Sequence, residues 1–230
     1  MTGKKVSRKK LLKEPDEFIS ITARTIQYVR DHRRQITMLS VMALAAVTAA
    51  LGGYSYFLWQ EGKAQAIQQQ AFEIYQEAFL KGSSPEGEKE SYRKAIEKFK
   101  EALKVYDRGN VSQISSLYIG HSHYALKEYE SAITAYSGRY EGPFRAMAFD
   151  GLGHSYEAKG DFAKALENYQ KNMEEEHNPF QGEGYLGAAR CYEALQQKQK
   201  ALETYQKALA KNPKSRMADI IQRKISELKG

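Results

Sequence analysis

His121 and His123 are the first residues that could hold a metal, yet they stand two apart. On a helix that spacing sends them to different faces, whereas a helical ligand pair needs a spacing of three or four. Cys191 is the only cysteine, which excludes an internal disulfide and leaves the redox compartment open. Its one basic neighbour is Arg190, and it falls in the middle of an expected helix, so it reads as a buried packing thiol and not as a nucleophile. Glu174, Glu175, Glu176 and His177 make a charged helix end, where acidic side chains face an unfavourable dipole; they read as a solvated turn. The sequence offers no nucleophile elbow, no phosphate-cradling glycine loop and no paired-carboxylate constellation. The expectation is a protein that is not an enzyme, with no cofactor and no metal, whose polar residues serve recognition.

What positions these residues is a chain divided by one apolar stretch. Ile36 to Trp59 runs for 24 residues without a charged side chain. At about 1.5 Å per residue it reaches about 36 Å, enough to cross a hydrocarbon core of about 30 Å with some tilt. Residues 1–35 carry ten Lys or Arg against four Asp or Glu, which is +6 of the net +7. The remainder is nearly neutral, so nucleic-acid binding by the main domain has no electrostatic support. Arg24, Arg30, Arg33 and Arg34 precede the span and only Lys63 closely follows it, which places the tail in the cytoplasm and residues 60–230 outside it. In a bacterium this is a single-pass inner-membrane protein with a periplasmic domain. A cleaved signal peptide, cut near Ala43-Leu44-Ala45, is the rival reading; so long a basic region and apolar stretch argue against it.

Details at the boundary follow from the same physics. The basic tail favours anionic lipid headgroups, or serves only as a topology signal. Pro15, Asp16 and Glu17 are a helix-start signal, and Phe18, Ile19, Ile21, Thr22, Ile26 and Val29 give an interrupted apolar face suited to the membrane interface. Within the span Ala45, Ala49 and Gly53 recur every four residues, a stripe against which another span could pack. Tyr54, Tyr56 and Trp59 suit the outer headgroup boundary.

Beyond Gln60 the chain repeats itself. GHSHYALKEYESAITAY from Gly120 lies over GHSYEAKGDFAKALENY from Gly153, and YRKAIEKFKEAL from Tyr92 and KALETYQKALAKNP from Lys200 fit the second half of the pattern. The aligned alanines, Ala95, Ala132, Ala165 and Ala201, stand 37, 33 and 36 residues apart. Each unit predicts a helix, a tight turn such as Lys159-Gly160-Asp161, and a second helix. One pair cannot bury its apolar face, but stacked pairs can, with small residues where helices cross and large ones filling the gaps. The units are expected at about 64–106, 113–145, 146–179 and 182–213, with Pro179 and Pro213 ending the second helices of the last two, and a capping helix over 215–228.

These units resemble the tetratricopeptide repeat, a pattern of about 34 residues. The third supplies Phe149, Leu152-Gly153, Tyr156, Ala165 and Tyr169; the fourth supplies Tyr185, Ala189, Tyr192, Ala201, Tyr205, Ala208 and Pro213. The second has Ile119-Gly120, Ala132 and Tyr136, with His123 where Tyr is usual. The first shows Ala71, Phe72 and Tyr75, then an unusually long turn, Gly82 to Glu90, before Ala95, Phe99 and Ala102. The resemblance implies an all-α, tetratricopeptide-type α-solenoid of about four helix pairs plus a capping helix, preceded by a single transmembrane helix.

It also implies a protein-binding groove. The basic clamp that some members use for a partner's C-terminal carboxylate is absent, since its places hold Leu117, Tyr118 and His121, then Asp150, Gly151 and His154, then Leu186, Gly187 and Arg190. The groove is expected to present His121, Tyr124, Asp150, His154, Glu157, Arg190 and Glu193 instead. The layout of tail, span and repeat domain further resembles the bacterial ancillary SecYEG translocon subunit family, which implies a partner in the translocon or among periplasmic chaperones. The alternative is a self-associating, homo-oligomeric scaffold of the cell envelope without a peptide client.

Overall fold

The computed structural model describes residues 17–80, 84–176, 178–211, 213 and 217–230, and among these there are helices and turns but no strand. The basic residues from Lys4 to Lys13, the start signal Pro15-Asp16, and Gly82, His177 and Ser215 lie outside the described residues. Ten helices follow in order: α1 Glu17–Asp31, α2 Arg33–Leu80, α3 Pro85–Val105, α4 Gly109–Ala125, α5 Tyr129–Tyr136, α6 Pro143–Ala158, α7 Phe162–Glu174, α8 Gln181–Ala194, α9 Lys198–Lys211 and α10 Ala218–Lys229. The chain forms two compact units, Met1–Leu58 and Trp59–Gly230.

The described part of the first unit carries a long uncovered apolar stretch. In α1, Ile21, Ile26 and Val29 are exposed, and Tyr28 stacks on His32 with ring centroids 4.2 Å apart. From Met38 to Leu58 every large apolar side chain is at least half exposed, along a helix whose mean hydropathy peaks at 1.9. Within this stretch Thr48 Oγ1 donates back to the helix, to Leu44 O at 3.0 Å and to Ala45 O at 2.9 Å. Ala45, Ala49 and Gly53 lie on this uncovered stretch, and a Cβ added at Gly53 would meet nothing within 4 Å. The helix does not stop at Trp59; α2 continues to Leu80 and so supplies the first helix of the first repeat as well.

In the second unit consecutive helices pack from α3 to α10, and the first helices of neighbouring pairs also touch, α4 on α6 and α6 on α8. Four pairs, α2/α3 to α8/α9, are thus closed by α10. The aligned alanines Ala95, Ala132, Ala165 and Ala201 are each 0% exposed, so no larger side chain fits at these crossings. The gaps are filled by a ring at one register of the second helices: Phe99, Tyr136, Tyr169 and Tyr205, each at most 2% exposed. Around two of these rings the helices come close only because glycines face them. A Cβ on Gly120 or Gly151 would lie 2.5 Å from a Tyr136 ring carbon, and a Cβ on Gly153 or Gly187 would lie 2.5 or 2.4 Å from a Tyr169 ring carbon. Each tyrosine is therefore held between a glycine of its own pair and a glycine of the next.

Several local expectations are corrected. Residues 85–90, expected within a long turn, are helical: α3 begins at Pro85, with Ser84 Oγ accepting Gly87 N at 3.3 Å as N-cap. The first helix of the second pair begins earlier than Gln113, at Gly109. Its partner α5 is short, because the chain leaves the helix after Tyr136 and Tyr140 folds back to donate to Ala135 O at 2.8 Å. Pro179 does not end α7, which stops at Glu174; the stop is made by Asn178 Nδ2, donating to Asn172 O at 2.6 Å, and by Gln181 Nε2, donating to Met173 O at 2.6 Å. Glu175 is not merely solvated: its side chain is 15% exposed and pairs with Arg145 at 2.7 Å.

Between the helices of a pair the turn places one residue in the left-handed region. Gly160 adopts φ 79°, which suits glycine, but Lys127 and Gln196 occupy the same register at φ 61°.

Candidate protein-binding face

Every expected groove residue sits on a first helix: His121 and Tyr124 on α4, Asp150, His154 and Glu157 on α6, Arg190 and Glu193 on α8. They do not form one cluster. They fall into three groups, each built around the hydroxyl of a tyrosine that has passed between two helices.

In the first group Tyr136 Oη lies 2.8 Å from His121 Nδ1. Burial, with the charge of His154, pushes the His121 imidazole down to about 4, so it is neutral at neutral pH. His123 is engaged elsewhere, 2.7 Å from Glu128 Oε2, so the two histidines serve different faces.

The second group is the densest. Tyr169 Oη donates to Glu157 Oε2 at 2.7 Å and lies 3.1 Å from His154 Nδ1. Arg190 grips Glu157 with both arms, Nε to Oε1 at 2.7 Å and Nη2 to Oε2 at 2.8 Å, the planar bidentate geometry that arginine provides and lysine does not. Burial works to raise the Glu157 carboxyl, but the Arg190 fork and the Tyr169 hydroxyl more than offset it and hold the group below its ordinary value. Asp150 Oδ2 lies 3.5 Å from His154 Nε2. Asp150 Oδ1 is buried without a hydrogen-bond partner, and burial raises this carboxyl despite the opposing pull of His154.

The third group joins Glu193 to Tyr205, whose hydroxyl donates at 3.0 Å, and to Lys224 at 2.8 Å. The Lys224 bond holds the Glu193 carboxyl below its ordinary value. Lys224 is the residue that sequence reasoning missed. The signal was present: His121, His154, Arg190 and Lys224 stand 33, 36 and 34 residues apart, so α10 carries the same register as the first helices before it.

Tyr124 stands at the edge of the second group, 36% exposed, with its ring 5.6 Å from Tyr129 and 6.3 Å from His154. Cys191 is 0% exposed, and burial pushes its thiol up to about 12, which keeps it protonated and unreactive. Among the described residues no group of three or more His, Cys, Asp or Glu is placed to hold a metal.

The face is thus a row of polar side chains on stacked first helices, most of them held by the tyrosine of their own pair or by a charged partner one unit away, with a tyrosine left open. Such a surface can accept a polypeptide segment along the row. No curated protein matches the chain. Residues 151–216 match the family model for the tetratricopeptide repeat, and with ten helices and no strand among the described residues the fold is a tetratricopeptide-type α-solenoid.

Proposed function

We propose that the chain is a membrane-anchored protein-interaction module, inserted once in a bacterial inner membrane with residues 1–35 cytoplasmic and the repeat array periplasmic. The anchor is supported by the uncovered apolar helix from Met38 to Leu58 and by the basic excess on its N-terminal side. The repeat match supports binding of protein, the general work of such arrays. The observation that carries the binding reading is Tyr124: a large ring left open beside a row of otherwise engaged polar residues. Confinement at the membrane raises the effective concentration of membrane partners, so the face itself can bind weakly. An export complex, the translocon or a chaperone serving it, is the partner the layout fits best.

Photocrosslinking in cells tests this. A photoreactive residue replacing Tyr124 should capture a discrete protein, and one replacing exposed Glu203 on α9 should not. Equal capture from both positions, or none from Tyr124, refutes the face. Topology is tested separately with cysteine variants Thr2→Cys and Glu203→Cys and a membrane-impermeant maleimide on intact cells whose outer membrane has been permeabilised. The native Cys191 is buried and gives a low background. Labelling at position 203 and protection at position 2 is the expected pattern; the reverse overturns the orientation.

A further inference from the structure

The three tyrosine-centred groups leave one carboxyl without a close hydrogen-bonded partner. Glu157 is taken by Arg190 and Tyr169, and Glu193 by Lys224 and Tyr205. Asp150 has no such partner. Its contact with an ionisable group is the 3.5 Å approach to His154, and its Oδ1 is buried with no hydrogen-bond partner. Arg190 is near enough to act on it electrostatically, but the guanidinium fork is engaged with Glu157.

The groups that act on Asp150 electrostatically come from every neighbouring helix: His154 and Glu157 from its own, Tyr136 from α5, Tyr169 from α7, Glu183 and Arg190 from α8, and Tyr124 from α4. Besides His154, the charged groups among them are two carboxylates, Glu157 and Glu183, and one guanidinium already engaged, around a carboxyl short of donors. A group in that condition costs free energy until a donor reaches it, and a charged donor satisfies it best. Oδ1 itself is buried, but the Asp150 side chain keeps 27% of its surface, and the open ring of Tyr124 lies 6.3 Å from the His154 ring that Asp150 Oδ2 approaches at 3.5 Å, so the two flank the same histidine. An aromatic face next to a carboxylate suits a cation on an aliphatic stem, the stem lying on the ring and the charge meeting the acid.

We propose that Asp150 is the recognition point for a basic side chain, lysine or arginine, of an extended partner segment, with Tyr124 covering the stem of that side chain. This rests on the reading of the face as a protein-binding surface and specifies what it reads. It is the electrostatic opposite of a carboxylate clamp, whose positions in the third repeat this chain fills with Asp150, Gly151 and His154.

The test uses the full chain in detergent micelles on an array of short peptides of diverse sequence, each spotted beside a copy in which every Lys and Arg is replaced by Gln. Three proteins are compared: wild type, Asp150→Asn, and Glu97→Gln, which removes an equal charge from an exposed site on α3. Circular dichroism confirms that each is folded. Wild type and Glu97→Gln should lose at least about tenfold in retention on the Gln copies, the value of one charge-assisted bond. Asp150→Asn should retain the Gln copies as wild type does and gain nothing from Lys or Arg. If Asp150→Asn keeps the preference, or Glu97→Gln loses it, recognition is not at Asp150 and the proposal falls. If wild type retains both copies equally, the binding face stands but the proposal falls. If no peptide is retained, both fall.

Discussion

Gly153→Ala puts the packing account to its hardest trial. Gly153 lies in the interior of α6, where alanine is the better helix former by about 0.5–1 kcal/mol, so helix propensity alone makes this substitution stabilising. The structure reverses the sign. The added Cβ would sit 2.5 Å from Tyr169 Cε1 and 2.7 Å from Cδ1 and Cζ, against an optimal carbon separation of about 3.5–4.0 Å. The ring cannot retreat, because Gly187 faces its other side with a matching allowance of 2.4 Å. Nor can it swing out easily, because its hydroxyl is tied to Glu157 at 2.7 Å. Overpacking of this kind costs about 1–3 kcal/mol, and with both exits closed the upper half of that range applies, leaving a net loss of about 1–2 kcal/mol. For a unit of this size that lowers the melting temperature by about 2–8 °C. The assay is thermal melting of the full chain in micelles, followed in the tyrosine band of the near-ultraviolet circular dichroism. Gly62→Ala is the control: it is also interior to a helix, α2, and its Cβ meets nothing within 4 Å, so it should be neutral or stabilising. If Gly153→Ala melts at or above wild type, the glycine–tyrosine–glycine account is wrong.

Three further outcomes follow from the same geometry. Arg190→Ala should destabilise by about 1–3 kcal/mol, below the range for a fully buried pair because the partners are 34% and 21% exposed; adding Glu157→Gln should recover part of the loss, and a double-mutant cycle showing no coupling would contradict the bidentate bond. His121, held down at about 4 in the folded chain, contributes stability that is full above its unfolded value of 6.5 and is lost as pH falls towards 4; melting temperature should fall over that window, and His121→Gln should flatten it, whereas an unchanged slope would show that another group titrates. Lys127→Gly and Gln196→Gly should each gain about 0.5–1 kcal/mol by relieving a left-handed backbone, while Gly160→Ala should lose a comparable amount; equal responses at all three positions would refute the shared turn geometry.

The repeat framework was legible because it rests on residue size. Small alanines at Ala95, Ala132, Ala165 and Ala201 and a large ring four residues further on are visible in the chain, and stacking leaves them one place to go. Helix ends were less legible. Gly160 announces its turn, but Lys127 and Gln196 adopt the same backbone without a glycine to mark it. Pro179 drew attention away from Asn178 and Gln181, whose side chains cap α7 through carbonyls six and eight residues upstream. The polar face was read as a set of residues and not as a set of bonds. Glu157 and Arg190 are 33 residues apart, and nothing local shows that the second is engaged by the first. The same pairing changes which substitution tests the face. Arg190→Ala would disturb the packing of α6 on α8, so loss of binding there would not by itself locate a contact, whereas Tyr124 and Asp150 can be altered with less effect on their neighbours.

The placement of Tyr136 and Tyr169 between glycines of successive pairs also governs how the array can be rearranged. At the two middle joints a pair offers a plug to its successor and a socket to its predecessor: Tyr136 enters against Gly151, and Tyr169 against Gly187. Tyr205 plugs instead into the cluster that holds Ile221 of α10. A copy of the α6/α7 pair could therefore be spliced after α7, because it brings both a socket for Tyr169 and a new plug for Gly187, and a copy of α8/α9 inserted before α10 would likewise offer Gly187 to Tyr205 and a second Tyr205 to the Ile221 cluster. The order of repeats is set by these joints as much as by the helices themselves.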